Sequence, residues 1–111
     1  MLVCRETVTA FSQVSPAAFA DLQQVVKQVE GCLRQVVAFE RINYLMLMMV
    51  DPDVHFHVIP RYSAPRELGG QVFADVAWPG PPALEPAVVP DEATRVLLMQ
   101  QLKDAWAGAG G

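Results

Sequence analysis

The chain predicts an α+β fold: an antiparallel sheet with a long helix packed on it, an irregular proline-rich segment, and a C-terminal helix. Three observations carry this. Apolar residues recur at helical spacing over residues 17–37. Two strand-like runs, 41–50 and 54–62, are separated by the turn residues Asp51, Pro52 and Asp53. A second helical pattern begins at Asp91, after a stretch dense in proline. Strands and helices in this order suit an antiparallel sheet with helices set to one side. The 111 residues fit one domain, with 1–62 as its core, 63–90 as a wrapping segment and 91–111 as helix and tail.

Taken in order, residues 1–4 are apolar and short enough for a small strand. Ser15 followed by Pro16 is a helix opening, a serine cap with proline at the first helical position. Phe19, Leu22, Val25, Val26, Val29, Cys32, Leu33 and Val36 then form the apolar side, and Gln23, Gln24, Lys27, Gln28 and Arg34 the wet side. Residues 41–50 read as a strand buried on both faces. Its Met46, Met48 and Met49 are expected in the core or at a dimer interface, because the flexible thioether fills irregular gaps. Residues 54–62 alternate: Val54, Phe56 and Val58 point one way, and Asp53, His55, His57 and Ile59 the other. So short a join makes these two strands an antiparallel hairpin. Residues 63–90 read as irregular, with Trp78 covering the core. In the last helix Asp91 and Glu92 suit the positive end. Val96, Leu97, Met99, Leu102 and Trp106 give the buried stripe, and 107–111 a frayed tail.

Composition excludes several functions. With 52% hydrophobic residues, the chain has material for a core. The formal net charge is -4 and no basic run exists, which disfavours nucleic acid as a partner because backbone binding needs clustered positive charge. Small phosphorylated ligands remain open, since a few local groups can hold them. Cys4 and Cys32 form no CxxC pair and are too few for a disulfide scaffold, so both are expected reduced and partly buried. The opening residues lack a signal peptide, and the longest apolar run, 44–50, is too short to span a bilayer. The expectation is a soluble, cytoplasmic chain with no membrane association.

The two histidines, His55 and His57, stand two residues apart on one strand face. Their imidazoles therefore point to the same side. Asp53 precedes them on that face, where a carboxylate is placed to fix an imidazole tautomer. The opposite face anchors the strand in the core, so the pair is mounted on a rigid element. A bare His-x-His is a weak signal by itself, equally compatible with two half-exposed strand histidines.

The longer context is more specific. Asp53-Val54-His55-Phe56-His57-Val58-Ile59-Pro60-Arg61 resembles the histidine-triad (HIT) signature, in which three histidines alternate with apolar residues and Pro-Arg often follows. Leu2-Val3-Cys4, Val8-Thr9-Ala10-Phe11 and the helix opening at Ser15-Pro16 resemble the family's strand, linker and long helix. The similarity spans residues 1–61 and is nearest to the fragile-histidine branch, the dinucleoside polyphosphate hydrolases. It implies a nucleotide hydrolase or nucleotidyl transferase acting at the α-phosphate through a nucleotidyl-histidine intermediate. His55 would be the nucleophile and His57 the group that stabilises developing phosphate charge. Arg61 and Asn43 are the candidate substrate-binding residues, with a structural reading open for each, and Arg66 and Gln71 lie where a loop would fold over the site. The resemblance implies a homodimer and no resident cofactor or metal, with Mg²⁺ entering, if at all, bound to the substrate.

The chain departs from that pattern in three places. Asp53 replaces the first histidine and sets a negative charge near an anionic phosphate. Residues 48–52 lack the usual glycine-containing loop. The family's N-terminal hairpin is expected to be missing, leaving a sheet edge open. Two other readings stand beside the enzyme. Asp53, His55 and His57 form a carboxylate and two imidazoles suited to zinc or iron. A non-catalytic nucleotide-binding or dimerisation module would keep the scaffold without the chemistry.

Overall fold

The computed structural model describes residues 1–85 and 88–109. It is an α+β fold with two helices and five strands. The strands are β1 (Leu2–Val3), β2 (Arg41–Leu45), β3 (His55–Arg61), β4 (Arg66–Leu68) and β5 (Gln71–Phe73); the helices are α1 (Pro16–Val37) and α2 (Glu92–Ala109). A three-stranded antiparallel sheet runs β1-β3-β2, and β4-β5 form a separate antiparallel pair. Among the described residues no helix is long and apolar enough to cross a membrane.

Helix α1 starts and stops as its local chemistry dictates. The Ser15 hydroxyl accepts the Ala18 N–H at 3.1 Å, satisfying one of the donors a helix start leaves unpaired. The Glu6 carboxylate in turn accepts from the Ser15 N–H and hydroxyl, which holds its pKa below the usual range. At the other end Ala38 turns left-handed with φ 53°. The Arg66 guanidinium donates to the carbonyls of Val37 and Ala38 there, placing positive charge at the negative end of the helix. Thus Arg66 closes a helix and stacks on the Tyr62 ring. Gln71 likewise ties β5 to the start of α2, through Val89 and Asp91.

The central strand is β3. Leu2 and Val3 pair with Phe56 and His55 on one edge, and the Cys4 N–H extends that contact to the Val54 carbonyl. Arg41–Leu45 pair with His57–Arg61 on the other. Proline is tolerated at position 60 because β1 reaches only His55 and Phe56, so on that side no ladder bond is lost. Behind the sheet, Tyr44 donates its hydroxyl to Glu30 of α1 at 2.6 Å, and Phe11 packs between Phe19 and Phe56. Burial and the Glu30 carboxylate push the Tyr44 hydroxyl pKa upward.

Four expectations need correction. β2 ends at Leu45, not at residue 50; Met49 and Val50 are 86% and 98% exposed. Met49 therefore lies outside the core, while Met46 and Met48 are half-buried. The Asp51 carboxylate accepts the Asp53 N–H and turns the chain before β3 starts, so the join is a loop of residues 46–54 and not a tight turn. The segment 63–90 is not irregular throughout. Gly69 and Gly70, with φ of 60° and 81°, make the two-residue turn of the β4-β5 hairpin. Residues 86 and 87 of that segment lie outside the described residues.

Helix α2 was expected to bury its large residues. Val96, Leu97, Met99 and Trp106 are instead exposed, while Thr94 and Ala105 are buried with Leu98 and Leu102 half-buried between them. Small side chains let α2 lie close to β4 and α1, where Cys32 donates its thiol to the Leu102 carbonyl at 3.5 Å. Burial raises that thiol's pKa. The helix runs on to Ala109, through most of the expected tail; Gly110 and Gly111 lie outside the described residues.

Gly69 gives a direct test of the hairpin. A side chain there is strained by the positive φ, and a Cβ would stand 3.1 Å from Thr94 Oγ1. Gly69→Ala should lower stability by about 1–2 kcal/mol in urea unfolding. Gly70→Ala, whose Cβ meets open space, should cost less.

Candidate functional site

His55 and His57 lie side by side on the face of β3 opposite the helices. Their ring centroids are 5.1 Å apart and the planes nearly perpendicular, at 81°. His55 is 3% exposed, while His57 is half-buried. The strand alternation expected from sequence thus holds for these two residues.

Asp53 does not act as the sequence suggested. It sits before β3, and its residue is exposed. What reaches His55 is its backbone: His55 Nδ1 lies 2.7 Å from the Asp53 carbonyl oxygen. A carbonyl only accepts, so Nδ1 must carry the proton. In the neutral imidazole the free lone pair is then on Nε2. The tautomer that the carboxylate was expected to set is set by the main chain instead.

Among the described residues no three His, Cys, Asp or Glu side chains gather as a metal-holding group. Asp53, His55 and His57 therefore do not form the ligand set that their spacing allowed.

Arg61 ends β3 on the same face and is 5% exposed. Its Nε and Nη2 grip the Asp75 carboxylate at 2.6 and 3.2 Å. Nη1 donates to Asn43 Oδ1 at 2.8 Å, and Nη2 also donates to the Gly80 carbonyl at 2.8 Å. Arg61 and Asn43, both singled out from sequence, are thus brought together, and the site residue that sequence reasoning missed is Asp75. No local pattern marks it, because its partner is 14 positions away. The charged hydrogen bonds from Arg61 outweigh burial and hold the Asp75 carboxyl below the usual range.

A paired-imidazole site on the middle strand of an antiparallel sheet, backed by a capped helix, defines the class as an α+β protein with histidine chemistry on one sheet face. A model of the HIT domain matches residues 1–64, more than half of the chain, and the protein belongs to the HIT domain family. That family comprises nucleotide hydrolases and transferases that bind nucleotide substrates. No curated protein matches the chain.

The Arg61–Asp75 pair predicts a pH effect with a definite sign. A carboxyl whose folded pKa is lowered adds stability that is fully present above its unfolded value, about 3.9. That stability is lost as pH falls through the lower, folded value. Asp75→Asn should cost about 3–5 kcal/mol at pH 7, since it leaves a buried guanidinium without its counter-charge. The gap from wild type should shrink in unfolding curves recorded below about pH 4.

Proposed function

We propose that the protein is a nucleotide hydrolase or nucleotidyl transferase in which His55 attacks the α-phosphorus of a nucleotide. The observation that carries this reading is the bond from His55 Nδ1 to the Asp53 carbonyl, which leaves Nε2 as the free nucleophilic atom. In the first step a bond forms from Nε2 to phosphorus, and the bond from phosphorus to the leaving oxygen breaks. Its electron pair departs with that oxygen. Water or another acceptor then attacks the same phosphorus, loses a proton, and frees His55. His57, one alternation further along the face, donates to the phosphate oxygens as their charge grows. Dinucleoside polyphosphates fit as substrates, because the resemblance in sequence is nearest to the enzymes that cleave them. Mg²⁺ would arrive on such a substrate and not as a resident ion.

Asp53 contributes its carbonyl, which every residue possesses, so the missing first histidine does not remove the support of the nucleophile. A second copy of the chain is the proposed partner, as the family resemblance implies.

The test is release of nucleoside monophosphate from a panel of dinucleoside polyphosphates and nucleoside phosphoramidates, with and without Mg²⁺. His55→Ala should lose about a thousandfold or more in kcat while keeping its fold. Asp53→Ala should retain at least roughly a tenth of the wild-type rate, because the backbone acceptor survives. No release from any substrate by folded wild-type protein would sink the reading. A large loss in Asp53→Ala would instead move the supporting role to the carboxylate.

A further inference from the structure

The His55 tautomer depends on one carbonyl, so the direction of that carbonyl matters to the site. The peptide plane that carries it runs from Asp53 to Val54. Its Val54 end is fixed twice: the Val54 side chain is buried, and the Val54 carbonyl accepts the Cys4 N–H at 2.9 Å. The Asp53 end has less to hold it. Asp53 is exposed and precedes the first residue of β3. Behind it, residues 46–52 make no hydrogen bond from main chain to main chain among the described residues, and Met49 and Val50 stand in solvent.

One bond closes this gap. The Asp51 carboxylate accepts the Asp53 N–H at 3.0 Å. Pro52, between them, has its φ locked near about −65° and no N–H of its own, so few soft torsions are left in the turn. Asp51 is half-buried, whereas Pro52 and Asp53 are exposed. The route from Asp51 to His55 is thus two hydrogen bonds, of 3.0 Å and 2.7 Å, through a single residue.

We propose that Asp51 is a positioning residue for the reaction, whose carboxylate holds the Asp53 carbonyl against His55 Nδ1 and so keeps Nε2 free of the proton. This assignment rests on the reading of His55 given above. When the Asp51 bond is removed, residue 53 turns about its own torsions and the carbonyl leaves Nδ1. His55 is 3% exposed, so water does not readily replace the lost acceptor. The proton then moves to Nε2 in part of the molecules, and there the attacking atom has no lone pair. The bond needs an acceptor oxygen at position 51, not a charge.

The chain has only two histidines, so protein labelled with ¹⁵N-histidine reports the His55 tautomer directly, with His57→Gln to assign the signals. Without ligand, wild type and Asp51→Asn should both show Nδ1 protonated and Nε2 bare, and Asp51→Ala a mixture of the two tautomers. With diadenosine triphosphate, Asp51→Ala should lose about 10–100-fold in kcat with KM within about twofold. Asp51→Asn should stay within about threefold of wild type, and Asp51→Ser, whose hydroxyl makes the same turn more weakly, should fall between. A merely structural role would lower stability and leave the tautomer alone. Turnover by wild type, with tautomer and kcat unchanged in Asp51→Ala, would overturn the positioning role and leave His55 as nucleophile. A folded Asp51→Asn as impaired as Asp51→Ala would overturn it too, since charge and not the acceptor would then matter. Should Asp51→Ala not fold, equal tautomers and rates in the serine and asparagine variants would do the same. A tautomer shift in Asp51→Ala alone, in a protein that releases no nucleotide, would support the positioning role and end the catalytic reading. Neither turnover nor shift would overturn both.

Discussion

A guanidinium buried as deeply as that of Arg61 tolerates no loss of partners, because an unpaired charge in the interior costs a large fraction of a small domain's stability. Arg61 meets this demand with Asp75, Asn43 and Gly80. The partners come from two parts of the chain, Asn43 from β2 and Asp75 and Gly80 from the segment after β5, and both parts are thereby fixed relative to β3. The segment around residues 75–80 has little regular structure to order it, so its position is set from the end of the strand. β3 thus carries a pair of imidazoles at one end and the anchor of the proline-rich segment at the other. That segment is therefore held at a fixed distance from the histidines.

Legibility in the sequence followed the range of the interactions. Helix α1 was readable because its cap, its proline and its apolar period are all local. The alternation of β3 was readable for the same reason. The end of β2 was not, because a long apolar run does not say where its partner strand stops; Met46 to Val50 have the composition of a strand and no ladder to join. The β4-β5 hairpin was signalled by Gly69-Gly70 but was masked by surrounding prolines. In α2 the large apolar residues drew the stripe, whereas close packing against α1 and β4 selected Thr94 and Ala105. The histidine pair was fully visible. The fate of Arg61 was not, since an ion pair with a residue in a patternless segment leaves no periodic trace.

The main-chain bond to His55 alters what the change at position 53 means. In a triad read as three side chains, losing the first histidine removes a member. Here the orientation of the nucleophile candidate is delegated to a carbonyl, and the turn that presents it is made by Asp51. The residue at 53 is free to vary in its side chain while the tautomer stays fixed. The turn is then the more sensitive feature: changes at Asp51 or Pro52 move the carbonyl itself.

Net charge pulls against an anionic ligand, yet the distribution of charge matters more than its sum. The Asp53 carboxylate is exposed, where water and salt screen it over about 8–10 Å. The largely buried Asp75 carboxylate is neutralised by Arg61. Glu40 is held by Ser63 and lies near both Arg41 and Arg66. The face that runs from His55 to Arg61 therefore presents two imidazoles, with its buried negative charge already compensated. His57 is the more exposed imidazole of the pair. Under the proposed function, an anion at His57 would gain donors without facing an unpaired buried carboxylate, so acidic composition is no obstacle to that reading.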